Sequence, residues 1–203
     1  MAMYDRFALS PEPDDVSIQD RDLLIRMAAY LDMIEMRIRQ GQGWFIFNAD
    51  RARSARIAQY VLAGLRAHAP IISHTMMTWR DFALNAYVTE VALPREEQEA
   101  PAPEPESRRD QEQRLARRVS REAYWRALNM DILILLDLAP AHPYEITFLD
   151  GILSSRYRLH LPTVITTPFM PEGLKGAVDA ADEQGGMWDQ LWSRTYDTSL
   201  IAM

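Results

Sequence analysis

Apolar residues recur along the chain with two different spacings, and the alternation between them outlines the fold. From Asp20 to Gln40, Leu23, Leu24, Met27, Ala28, Leu31, Ile34 and Ile38 return every three or four residues, which predicts an amphipathic helix stopped by Gly41 and Gly43. Trp44 to Phe47 is a short apolar run, expected to be a buried strand. A polar turn follows, and then a helix over Ser54 to Ala67 with Ile57, Tyr60 and Val61 facing inward. Pro70 to Thr75 predicts a second strand, and Trp79 to Val88 a helix with Thr78 as its N-cap.

Residues 92–113, ALPREEQEAPAPEPESRRDQEQ, break the pattern. Proline, glutamate and glutamine replace apolar residues, so this stretch reads as a solvated or disordered acidic, proline-rich insertion. Helix resumes to about Leu128. DILILLDL, from Asp131 to Leu138, is apolar on both faces, as a central parallel strand is. Pro143 to Leu159 predicts a helix with Tyr144, Phe148, Leu149, Ile152 and Leu153 on one side, and Thr163 to Thr167 the next strand. MPEGL, from Met170, opens a short helix with proline in its first turn. Trp188 to Arg194 reads as a turn or short helix, and Thr198 to Met203 as a last strand. Strands alternating with helices imply an α/β fold, a parallel sheet covered on both faces, whose ligands bind outside the carboxyl ends of its strands. The turn after Phe47, Leu136-Asp137 and Thr166-Thr167 all fall at that edge.

Composition narrows the class. With 203 residues, 48% of them hydrophobic, one domain over residues 19–203 behind a flexible lead-in of residues 1–18 is expected. The net charge of −7 argues against a protein that grips nucleic acid over its whole surface, and the lack of cysteine rules out disulfides and thiolate metal sites. No apolar run approaches the roughly 20 residues that span a bilayer, and the acidic N-terminus lacks the apolar core of a signal peptide, so a cytoplasmic protein is expected. His68, His74, His142 and His160 show no ligand spacing, so no metal site is assigned. Lys175 is the only lysine, far from the turn after Phe47. A phosphate-binding loop needs a lysine there.

Several segments together resemble the DnaC/IstB-like AAA+ ATPases, the bacterial helicase loaders and transposition helper ATPases. DILILLDLAP resembles the family's DLLILDDLG. YEITFLDGILSSRYRLHLPTVITTPFMPEGL is similar to its pattern around RY, LPTIITTN and PEEL. LWSRTYDTSLIAM resembles the SRL segment and final core strand, and GWFIF the strand before the phosphate loop. The resemblance spans about residues 20–203 apart from the insertion. It implies a P-loop NTPase-like AAA+ core, here without a C-terminal lid domain.

The departures gather where the family does chemistry. Asn48, Arg51 and Arg53 stand where glycines would be, Ser54 where the Walker A lysine would be, and Ala55 where the magnesium-binding hydroxyl would be. Leu136 replaces the aspartate that would hold magnesium, and Asp137 keeps the adjacent acidic position. After Thr167, Pro168 takes the place of the sensor asparagine. Arg194, which in the family would reach a neighbouring subunit's γ-phosphate, is retained. Phosphoryl transfer depends on lysine and Mg²⁺ for charge neutralisation. No catalysis in cis and no binding of ATP or Mg²⁺ are therefore expected.

Three readings of the arginines after the turn stay open. Arg51, Arg53 and Arg56 could meet an anion such as DNA phosphate, point into solvent or pair with acids such as Asp50, or fold one side chain into the old phosphate pocket. Asp137 reads as a base or as a structural residue at a strand end, and Arg194 as a trans arginine finger or a surface ion-pair residue. Trp188 and Trp192 could anchor a partner or pack on the domain's own core. Three functions follow. The first is a pseudo-ATPase acting through protein partners, such as an active AAA+ ATPase, a replicative helicase or initiator, or mobile-element machinery, with homo-oligomers allowed. The second is a DNA-binding accessory module using the arginine cluster and the basic helix near Arg114 to Arg118. The third is a subunit active only in a mixed ATPase assembly.

Overall fold

Five short segments pair into one sheet in the computed structural model, which describes residues 18–91 and 108–203. Strands β1 (Gly43–Ile46), β2 (His74–Thr78), β3 (Ile132–Leu136), β4 (Thr163–Thr166) and β5 (Ser199–Ala202) lie in the order β2-β3-β4-β1-β5. Every pairing is parallel. Parallel neighbours cannot be joined by hairpins, so helices carry the connections. These are α1 (Ile18–Asp32), α2 (Ile34–Arg39), α3 (Arg51–His68), α4 (Trp79–Glu90), α5 (Arg108–Asn129), α6 (Pro143–Arg158), α7 (Pro171–Ala181) and α8 (Met187–Thr198).

Alternation along the strands sends side chains into two cores. Phe45, Leu133, Leu135 and Ile165 meet α4, α6, α7 and α8 on one face. Trp44, Ile46, Ile134, Leu136 and Val164 meet α1 and α3 on the other. All five residues of β3 are buried, each aliphatic side chain contributing roughly 1.5–3 kcal/mol relative to exposure. β1 and β4 approach so closely at Gly43 that a Cβ there would stand 2.0 Å from the Thr163 carbonyl oxygen, so only glycine fits.

Several boundaries differ from the sequence expectation. The helix expected over 20–40 is two, because at Met33 (φ −114°, ψ 25°) the chain leaves helical geometry and its N–H bonds the Tyr30 carbonyl, one residue short of the helical partner. The second strand lies at His74–Thr78, not at 70–75, because its register is set by pairing with β3. α3 begins three residues early, at Arg51, because Asp50 caps it. Residues 108–113, expected in the insertion, open α5; their arginine, glutamine and glutamate are good helix formers. The short segment around Trp188 is a full 12-residue helix. The expected lead-in up to Ser17 and residues 92–107 of the insertion lie outside the described residues.

Candidate functional site

Residues 47–50 join β1 to α3 at the carboxyl edge of the sheet, where the fold places ligands. A phosphate cradle needs backbone N–H groups that converge on open space. Here the three that precede Asp50 are already engaged. Phe47 N–H donates to the Ala202 carbonyl at 2.8 Å, Asn48 N–H to Phe169 at 2.9 Å, and Ala49 N–H to Thr167 at 2.8 Å. Asn48 sits at φ 51°, a left-handed conformation asparagine tolerates better than most residues. The Asp50 carboxylate accepts the Arg53 N–H at 2.7 Å, so an internal anion occupies the positive end of α3.

The three arginines separate. Arg51 and Arg56 are exposed, whereas Arg53 is buried. Its Nε donates to Asp20 Oδ1 at 2.7 Å, and its Nη1 to the carbonyls of Asn48 at 2.9 Å and Phe47 at 3.3 Å. The guanidinium therefore closes the loop from the α1 side, and Arg53 shares no surface with Arg51 and Arg56. Its Nη2 is buried without a hydrogen-bond partner among the described residues. Ser54 is fully buried, its hydroxyl bonded to the Ala49 carbonyl at 3.2 Å, and Ala55 is exposed.

The neighbouring strand ends are equally inward-looking. Leu136 belongs to the same apolar cluster as Ala49 and Ile57. Asp137, at φ 61°, donates its N–H to Thr166 Oγ1 at 3.1 Å, and its Oδ1 is buried with no hydrogen-bond partner among the described residues. Thr167 is buried, its hydroxyl donating to the Leu138 carbonyl at 2.7 Å, and Pro168 is exposed. A triphosphate with its divalent ion needs free N–H donors, a lysine and a carboxylate ligand at Leu136. Leu136 and Ser54, at the positions of the metal ligand and the lysine, supply neither. Among the described residues no three His, Asp or Glu gather as a metal site.

Arg194 lies away from the loop. On α8, it forms an ion pair with Asp150 of α6 and donates to Gln190 Oε1 at 3.4 Å. Trp188 and Trp192 stack at 5.4 Å, and Trp192 reaches Phe47 at 6.1 Å, so the pair fills the domain's own core beneath the loop. His142 is the exposed N-cap of α6, its ring stacked on Tyr144.

One structural residue escaped the sequence reading. Arg156 is 1% exposed and donates to the carbonyls of Ala127, Met130, Asp131 and Pro162 and to Thr163 Oγ1. Burial lowers its pKa to about 10, so it stays charged at neutral pH. It fastens the entry to β3 and β4. The signal was present, because Arg156 continues the inward stripe of Leu149, Ile152 and Leu153 on α6.

No protein-family model and no curated protein matches the chain. Solved structures do. It is similar to the DnaC helicase loader, with 14% identity, TM-score 0.61, and 93% of this chain and 92% of that one covered. It is similar to DnaI, with 16% identity, TM-score 0.62 and coverage of 100% and 94%. The AMPPCP-bound initiator DnaA from Aquifex aeolicus matches at 11% identity and TM-score 0.57, over 92% of this chain but 47% of its own. No described helix is long and apolar enough to cross a membrane. The parallel sheet, its strand order and these likenesses over nearly the full length give one conclusion: the chain has the AAA+, P-loop NTPase-like fold of the helicase loaders and of the replication initiator.

Proposed function

We propose that this chain is a pseudo-ATPase: a helicase-loader-like core that acts by binding protein partners within replication or mobile-element machinery, without hydrolysing nucleotide. The observation that carries the reading is the loop itself, where the Asp50 carboxylate stands at the helix terminus and the Arg53 guanidinium closes over the carbonyls of Phe47 and Asn48. Both positions are filled from within. The partner this reading favours is an active ATPase of the same fold or the helicase it serves. Calorimetric titration with ATP and Mg²⁺ tests it: no saturable heat and no phosphate release are expected, whereas micromolar binding with turnover would refute it. Copurification from the native host identifies the partner.

A second reading, a DNA-contacting accessory module, draws support from α5. Arg118 and Arg121 are exposed there, one helical turn apart, with Trp125 exposed one turn further on. Arginine and tryptophan on one face suit phosphate contact and base stacking. Fluorescence anisotropy with single-stranded DNA across a salt series tests it. Affinity that falls steeply with salt and disappears on reversing both charges supports this reading, and salt-insensitive or absent binding rejects it. Arg194 enters a composite ATPase site only by leaving Asp150. That third reading predicts ATPase activity in a mixture with the partner that Arg194→Ala abolishes.

A further inference from the structure

β2 ends the sheet, and among the described residues nothing pairs with its outer side. The bond from Ile132 N–H to the Ser73 carbonyl, at 3.1 Å, fixes which backbone groups point where. Ser73, Thr75 and Met77 turn theirs to β3, and His74, Met76 and Thr78 turn theirs to the open edge. Edge strands are normally guarded by lysine, proline, a bulge or an inward charge. His74–Thr78, HTMMT, has no lysine, proline or carboxylate, and Met76 is 47% exposed.

We propose that this edge joins two copies of the chain, β2 against β2 in antiparallel register about a two-fold axis at Met76. The strand is self-complementary in that register. Met76 exchanges N–H and C=O with Met76 of the second copy, and His74 faces Thr78 on each side of the axis, giving up to about six backbone hydrogen bonds. The axis stands perpendicular to the sheet, so each face continues into the same face of the other copy. The polar groups also match. Thr78 Oγ1 donates to Asp81 Oδ2 at 2.8 Å, so the Asp81 carboxylate lies beside Thr78, where the imidazole of His74 from the second copy arrives. This happens twice, once on each side of the axis. A five-residue edge is a small interface, so association in the micromolar range is expected. It is independent of whether the loop after β1 binds nucleotide.

Light scattering on the eluting full chain, loaded from about 10 to about 300 µM, reads the outcome. The mass should rise toward twice 23.4 kDa with concentration. Met76→Lys, which sets two ammonium groups face to face, should hold it at the mass of one chain while leaving the melting curve in place. A wild-type chain that stays single throughout overturns the proposal, as does a Met76→Lys chain that still doubles. Because the protein has no cysteine, Met76→Cys supplies a single thiol. A short bis-maleimide should then link chains through position 76 but not through Arg118→Cys on α5. Equal linking at both positions would reduce the contact to random collision and sink the idea.

Discussion

Replacing Arg53 with methionine removes the guanidinium and keeps most of the apolar stem, so the change isolates what the charge does for the loop. Three contacts disappear: Nε to Asp20 at 2.7 Å, and Nη1 to Asn48 at 2.9 Å and Phe47 at 3.3 Å. A hydrogen bond to a charged group is worth about 1.5–3 kcal/mol. The Asp20 side chain is 26% exposed and Asn48 is exposed, so water recovers part of two of these contacts. Removing a cation from the first turn of α3 returns roughly 0.3–1 kcal/mol. The net expected loss is about 2 kcal/mol, read as a lower midpoint at unchanged slope in urea unfolding. Crossing the variant with Asp20→Asn should show a coupling of about 1 kcal/mol or more, as contacting residues do. Arg53→Lys should recover less than half of the loss, because one ammonium cannot serve the carboxylate and both carbonyls. A loss under about 0.5 kcal/mol, or no coupling to Asp20, would refute the claim that Arg53 holds the loop shut.

Gly43→Ala should cost more than about 3 kcal/mol, seen as lost soluble yield, because its Cβ meets the Thr163 backbone at 2.0 Å; Gly64→Ala, which meets only the movable Leu31 side chain at 2.4 Å, should cost about 1 kcal/mol in the same melts. Arg156→Met should destabilise by roughly 3–5 kcal/mol, since it strands several buried carbonyls. Burial holds the native pKa of Arg156, about 10, below its unfolded value, so the unfolded chain holds more protons only between those two values. Stability from this group therefore rises with pH across that window and is flat below it, and the difference between wild type and Arg156→Met should not change from about pH 6 to 9. Arg194→Ala and Asp150→Ala should each cost about 1 kcal/mol in urea unfolding and together little more, because they break one half-buried ion pair. Restoring the family motif with Arg53→Gly, Ser54→Lys, Ala55→Ser and Leu136→Asp should lower the melting temperature without creating ATP binding by calorimetry, because Ser54 and Leu136 are buried and Asp50 still caps α3.

β1, β3, β4 and β5 were legible because each is a short, largely apolar run, and β3 in particular is apolar and buried on both faces. Thr78 was legible as a cap because its hydroxyl accepts the Asp81 N–H at 3.2 Å, a contact local in sequence. What stayed hidden was long-range. The register of β2 depends on β3, more than fifty residues away, so Pro70 to Thr75 looked as strand-like as His74 to Thr78. Arg53 was one of three arginines with similar neighbours, and only Asp20, 33 positions earlier, distinguishes it. Arg156 was overlooked because a charged residue on an apolar stripe reads as an interruption, when its acceptors arrive from three other segments.

On the pseudo-ATPase reading proposed above, the loop after β1 meets from within the demands that a bound phosphate meets elsewhere. A helix N-terminus carries a partial positive charge and unpaired N–H groups, and both call for an anion. In a nucleotide-binding loop that anion arrives from solution, and a lysine balances it. Here Asp50 supplies the negative group covalently, at the first position before the helix, and Arg53 supplies the positive one from the first turn, anchored to Asp20. The N–H groups of Asn48 and Ala49 are paired to the strand ends of the sheet itself. On that reading, a phosphate entering this loop would compete with the Asp50 carboxylate for the helix terminus, and the Arg53 cation is already engaged by Asp20 and two carbonyls. The Asp50 carboxylate and the Arg53 guanidinium then satisfy, on the same reading, within the folded chain the electrostatic demand that a bound ligand would otherwise meet.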